Sequence, residues 1–278
     1  KMLFIITKSE MGGAQRFLYE FITRIDPQKY DILVAAGPPA SGELLEKLNK
    51  KGVKIVSMKN FSNTPGLKNF LAFLELLRII IKFKPDILYL LSSEAGFTGS
   101  IAGGLYKFFS RNKKLKIIYR IGGWAFKEPR NILIKKIYLW AEKISAPFKN
   151  IIITNSEFDR YLAVKNKIAK PDKIITIYNG LDFDNLKFFP KKETRKFLGL
   201  KSGVLVGTIA NFYKNKGLEY LILAIAKISN DHEFHAVIVG DGPEKENLEK
   251  LIKKYNLEYK ISLVGFVPDA YNYLKAFD

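Results

Sequence analysis

The sequence predicts an α/β protein made of two doubly wound units. Three observations carry that expectation: strand-like and helix-period segments alternate along the whole chain, the strand-like runs are apolar without polar alternation, and glycine turns follow strands in both halves. Runs rich in Val, Ile and Leu suit a parallel sheet covered on both faces. Strand-helix alternation builds βαβ units.

Taken in order, strands are expected at 2–7, 31–36, 53–57, 86–91, 116–120, 150–154 and 174–178. Helices are expected between them at 14–25, 42–51, 68–83, 97–110, 130–145 and 156–166. After Asn179-Gly180 comes a linker-like segment holding Pro190 and Lys191-Lys192. A second series then runs strand 204–209, helix 216–228, strand 235–239, helix 243–255, strand 260–264, helix 269–277. The expected domains are 1–182 and 183–278, with Asn179 and Gly180 as a hinge. Three strands and three helices make about half of a doubly wound domain, so the second is expected to be incomplete. Truncation of a longer chain is the expectation; a natively short protein is the alternative.

With 278 residues and 47% hydrophobic side chains, the chain has ample core for either arrangement. The most apolar run, Phe70 to Phe83, contains Glu75, Arg78 and Lys82, so it reads neither as a membrane span nor as an export signal. A cytoplasmic protein is expected. The absence of cysteine excludes disulfides and thiolate metal sites.

The net charge of +19 is unevenly placed: residues 1–150 carry 26 Lys/Arg against 11 Asp/Glu, residues 151–278 carry 20 against 16. Clusters include Lys47, Lys50, Lys51 and Lys54; Arg111, Lys113, Lys114 and Lys116; and Lys135-Lys136. Such a surface attracts nucleic acid, anionic lipid or phosphorylated substrates alike, and it also fits plain solvation. The aromatic-basic interleaving of nucleic-acid modules is missing, so no nucleic-acid partner is expected.

Gly12-Gly13 sits between the first strand and a helix, where backbone can approach an anion at a helix N-terminus. No G-x-G-x-x-G occurs there, and a tight turn alone would use the same residues. Lys214 and Lys216-Gly217 stand at the start of the second series' first helix, where a cation could neutralise a diphosphate. Gly240 and Gly242 end a buried-type strand ahead of Pro243-Glu244, a good helix start and a crevice position in open α/β sheets. His232 and His235 flank Glu233 without a third ligand, so no metal site is expected. Glu94, Glu128 and Glu157 lie near strand ends and serve equally as crevice or capping acids.

The combination resembles a family-4 retaining glycosyltransferase of GT-B architecture: two Rossmann-like domains facing across a cleft. The carriers are Gly12-Gly13-Ala14-Gln15, Lys84 to Leu88, Thr154-Asn155-Ser156-Glu157, Lys173 to Asp182, Lys216-Gly217, Gly240 to Glu244 and Val264-Gly265-Phe266. The resemblance implies a nucleotide-diphosphate sugar as donor substrate and no further cofactor. It places Gly12, Gly13, Asn211, Lys214, Lys216, Gly240, Gly242, Gly265 and Phe266 at the donor. Glu94, Gly122, Gly123 and Ser156 would face the acceptor or cleft. The implied acceptor is a glycan or a lipid-linked glycan in cell-envelope polysaccharide synthesis. Docking to an anionic membrane on its inner face would fit the basic first domain and helix 68–83, with Arg78, Lys82 and Lys84.

Three departures from the family pattern stand out. Gly122 occupies the place of a sugar-contacting histidine, and Asn211 the place of an arginine. The acidic Glu-x7-Glu motif would fall after Asp278. A GT-B-derived glycan- or membrane-binding protein without catalysis is therefore the alternative function.

Overall fold

The computed structural model describes residues 1–39, 42–61, 67–110, 114–181, 186–200, 203–228 and 233–278. Arg111, Lys113, Asp182 and His232 lie outside the described residues. The chain divides into two compact units, Lys1–Gly180 and Leu181–Asp278.

In the first unit β1 (Met2–Ile6) leads to α1 (Gly13–Ile22), β2 (Ile32–Ala36), α2 (Glu43–Lys50), β3 (Lys54–Ser57) and α3 (Leu67–Phe83). The chain continues through β4 (Ile87–Leu91), α4 (Ser93–Phe109), β5 (Lys116–Ile121), α5 (Ile132–Ser145), β6 (Ile151–Thr154), α6 (Glu157–Lys165) and β7 (Ile174–Thr176). The strands form one parallel sheet in the order β3-β2-β1-β4-β5-β6-β7. Alternation along β1 sends Leu3 and Ile5 into one core with Ala72, Leu76 and Ile80 of α3, and Phe4 and Ile6 into the other with Leu18 and Ile22 of α1. Both faces are covered, which is why the strands carry no polar alternation. Winding reverses between β1 and β4, and this switch point is where an open α/β sheet forms a crevice.

Helix α4 starts at Ser93, four residues earlier than position 97. Its glycines look like loop residues in sequence, yet they let the helix lie close on the sheet: a Cβ at Gly96 or Gly99 would overlap Tyr119 or Leu90.

The second unit holds α7 (Lys191–Phe197), β8 (Leu205–Ile209), α8 (Leu218–Ile228), β9 (His235–Val239), α9 (Lys245–Lys254) and β10 (Ile261–Gly265). Its parallel sheet has the order β10-β9-β8. Two expectations need correction. The linker-like segment at Pro190 becomes α7, because Thr194 Oγ1 donates to the Pro190 carbonyl (2.9 Å) and Arg195 Nε to the Ala276 carbonyl (2.8 Å). The expected helix 269–277 is a 3-10 helix over Ala270–Ala276. Three-residue spacing aligns Ala270, Tyr273 and Ala276; Tyr273 packs on Phe189 and Phe197, and Ala276 is buried.

Candidate functional site

At the carboxyl ends of β1, β4 and β5 lies a cavity of about 380 Å³. The N-terminus of α1 contributes Gly13 and Ala14, the β4–α4 turn Ser92, Ser93 and Glu94, and the end of β5 Arg120, Gly122 and Gly123. Glu128, Arg130, Tyr138, Asn155 and Asn179 complete the wall.

Arg120 is the dominant charge. Only 4% of it is exposed, its Nη2 donates to Asn179 Oδ1, and its guanidinium lies 3.6 Å from the ring centre of Phe17 on α1. No carboxylate pairs with it among the described residues. Burial pulls its pKa down, opposed only by the Tyr89 hydroxyl. A buried guanidinium that lacks a carboxylate and lines a cavity is suited to take an anion with its remaining donors. Arg130, by contrast, is held by Glu128 through Nε (2.9 Å) and Nη2 (2.7 Å), and that pairing raises its pKa.

Glu94 stands in the first turn of α4, buried, accepting from Asn69 Nδ2 at 3.1 Å. Burial raises its pKa; hydrogen bonds from Tyr138 and Asn69 pull the other way, and the Glu142 carboxylate adds to the rise. Deeper in the same unit, Glu142 accepts from Tyr119 Oη (2.7 Å) and Lys149 Nζ (2.8 Å), so its charge is spent internally.

Of the residues singled out in sequence, Gly13, Glu94, Gly122, Gly123, Glu128, Asn155 and Asn179 line this one cavity. Gly12 occupies the N-cap position of α1 in an extended conformation. A Cβ added at Gly122 would meet nothing within 4 Å. Ser156 caps α6: it accepts from the Asp159 amide (3.1 Å) and donates to Asp159 Oδ2 (2.8 Å). Glu157 is exposed and pairs with Arg160 at 3.7 Å.

In the second unit, Asn211, Gly240, Gly242 and Gly265 come together where β8, β9 and β10 end. Gly240 donates its amide to the Gly265 carbonyl (2.9 Å), Phe212 to Asp241 (2.9 Å) and Glu244 to Phe212 (3.0 Å). A Cβ on Gly240 would overlap the Ala210 carbonyl oxygen, so this loop packs backbone on backbone. Lys214 and Lys216 sit in a 3-10 turn, not in the helix, and left-handed Gly217 separates them from α8. Phe266 is 72% exposed. His235 Nε2 is 2.7 Å from Ser262 Oγ, a contact between neighbouring strands.

Sequence reasoning passed over Arg120, Arg130 and Tyr138. For Arg120 a signal existed: one cation inside the otherwise apolar end of the run 116–121.

A family model described as Glycosyltransferase Family 4 matches residues 11–185, and one described as Glycosyl transferases group 1 matches residues 190–278. The chain belongs to glycosyltransferase family 4. Over 277 residues it is 26% identical to an Escherichia coli UDP-Gal:alpha-D-GlcNAc-diphosphoundecaprenol alpha-1,3-galactosyltransferase, covering 96% of this chain and 69% of the relative. It is 29% identical over 144 residues to a Campylobacter jejuni N-acetylgalactosamine-N,N'-diacetylbacillosaminyl-diphospho-undecaprenol 4-alpha-N-acetylgalactosaminyltransferase, covering 52% of this chain and 37% of that one. Among solved structures, Anabaena Alr3699/HepE in complex with UDP and glucose superposes with a TM-score of 0.79 at 22% identity, covering all of this chain and 72% of the other. The family-4 chain has the GT-B fold, and the sequence spans 69% of the Escherichia coli relative and 72% of the Anabaena chain.

Proposed function

We propose that this protein is a retaining glycosyltransferase that moves a sugar from a nucleotide-diphosphate sugar onto a lipid-linked glycan in cell-envelope polysaccharide synthesis. The observation that carries the reading is the Arg120 cavity at the switch point of the first sheet. It offers a buried cation, the open N-terminus of α1 and the polar groups Glu94 and Tyr138 to one ligand. Both relatives above are named for acceptors carrying a diphosphate on undecaprenol, which fits an anion-seeking pocket.

In this reading unit 1–180 takes the acceptor and unit 181–278 the donor. Within the second unit the donor diphosphate is compensated by the exposed Lys214 and Lys216. Its negative charge grows as the sugar departs, so fixed cations and helix N–H groups favour the transition state over the ground state. Arg120 orients the acceptor's phosphate, and Glu94 accepts from the incoming sugar hydroxyl. A front-face retaining displacement asks little of a general base, which suits a site whose buried carboxyl has a raised pKa.

Membrane association belongs to the same proposal. Leu133, Ile137, Trp140 and Ile144 form an exposed stripe along α5, with Lys135, Lys136 and Lys143 beside it. This face is richer than that of α3, where Phe70, Leu71 and Ile81 are exposed. No helix among the described residues is long and apolar enough to cross a membrane.

The test is transfer from a panel of UDP-sugars to a synthetic sugar-diphosphate-lipid, with the new linkage assigned by NMR. An α product from an α donor is expected. A β product would overturn retention, and no product with any donor would overturn the activity itself.

A further inference from the structure

Beside the polar cavity runs a second one, about 540 Å³, between α3, α4 and α5. Its walls are Phe70 and Phe73 from α3, Phe97 and Ile101 from α4, and Ile137 and Ala141 from α5. We propose that this groove seats the hydrocarbon chain of a lipid-diphosphate acceptor whose phosphates lie at Arg120. The proposal rests on the lipid-linked reading above and assigns a place to the lipid.

Continuity comes first. Ser93, Glu94 and Tyr138 line both cavities, so the two adjoin at these residues and one ligand spanning them would pass there. The groove includes Ile137, which is exposed and also belongs to the apolar stripe of α5. A chain leaving the groove would therefore emerge among Leu133, Trp140 and Ile144. Two carboxylates line the groove, and both are partnered: Glu142 accepts from Tyr119 and Lys149, and Glu94 accepts from Asn69.

Charge selects the occupant. A purely apolar ligand would leave Arg120 buried without an anion, and a purely polar one would leave an apolar channel facing water. An anionic amphiphile satisfies both. A second copy of this chain would instead bring another strongly basic first unit against Lys135, Lys136 and Lys143.

Isothermal titration of the protein with inorganic pyrophosphate, geranyl diphosphate and farnesyl diphosphate tests the assignment. Because each methylene removed from water adds roughly four-fold in affinity, farnesyl diphosphate is expected to bind at least about ten-fold more tightly than geranyl diphosphate. Its heat-capacity change should also be the more negative. Ala141→Phe fills the groove and should erase the chain-length gain while pyrophosphate still binds. Ile137→Asn, at the exposed rim, should reduce the gain even if the first variant misfolds.

Equal affinity for all three probes, or an undiminished gain in both variants, would overturn the proposal. So would variants that weaken binding to phosphatidylglycerol vesicles yet leave farnesyl diphosphate binding untouched, since the groove would then belong to the membrane. Transfer assays separate the two readings. Chain-dependent binding without transfer sinks the enzymatic function and keeps the groove; transfer to acceptors regardless of chain length sinks the groove alone.

Discussion

At the ends of β1, β4 and β5 the crevice is made of buried side chains, while at the ends of β8, β9 and β10 it is made of backbone resting on backbone. Arg120, Glu94 and Tyr138 define the first; Gly240, Gly242, Ala210 and Phe212 define the second. Both are strand-end crevices of parallel sheets, yet they respond to mutation in different ways. A side-chain crevice can lose its chemistry and keep its fold. Where backbone packs on backbone, as at Gly240 and Gly242, no added atom fits, so local stability limits what can change there, whereas the sequence-marked cations Lys214 and Lys216 are exposed.

The largest effect expected from this contrast is in the second unit. Gly240→Ala places a Cβ on the Ala210 carbonyl and holds alanine at φ +146°. A cost of about 3 kcal/mol is expected, which speeds amide hydrogen exchange in β8–β10 roughly 100-fold while β1–β7 keep their rates. Both tryptophans lie in the first unit, so their fluorescence should not register the change. Gly265→Ala is the control: φ is +86° but no atom lies within 4 Å of the new Cβ, and only about 1 kcal/mol is expected. Equal costs would break the distinction between packed and open loops.

Arg120→Met is the matching change in the first unit. Removing the guanidinium should weaken binding of a lipid diphosphate by about 10- to 100-fold, as expected for a charge-assisted contact out of water. Stability should hold or rise, because a buried cation without a carboxylate is replaced by an apolar chain. Titration gives the first quantity and urea unfolding followed by tryptophan fluorescence the second. A large loss of stability with intact binding would make Arg120 a structural residue.

Glu94→Gln sharpens the picture through pH. Burial raises the Glu94 pKa above its usual range, so the folded state holds its proton at pH values where the unfolded chain has released it. Stability from this group is present below the ordinary glutamate pKa and is lost as pH rises through the raised value. Urea midpoints measured from about pH 4 to about pH 8 should fall for the parent protein, and this component should vanish in Glu94→Gln. The same slope in both would place the titration elsewhere.

Much of the architecture was legible because the physics is local. Each strand of the first sheet announces itself by a run of Val, Ile and Leu, and each helix by its period. The misses have a common cause in tertiary contact: α7 forms where Arg195 reaches Ala276, the 270–276 turn tightens around Tyr273, and α4 starts early because its glycines meet the sheet. Site residues divide the same way. Gly13, Glu94 and Gly122 mark strand-end turns and could be read from order alone. The importance of Arg120 lies in the carboxylate it does not have, which only packing reveals. The groove joins positions 70, 97 and 137, too far apart in sequence for any pattern to link them.

The smallest effect belongs to Lys216→Gln. The residue is exposed in a 3-10 turn, so its charge acts through water and its removal should leave stability within about 0.5 kcal/mol. If it faces the donor diphosphate, UDP affinity should fall by roughly three- to five-fold at low salt. The deficit should shrink as salt rises, because exposed charges are screened. Arg120, sheltered from solvent, should show a deficit that salt barely changes. A salt-insensitive loss at Lys216 would mean that ligand binding buries this lysine, making the second crevice as much a side-chain site as the first.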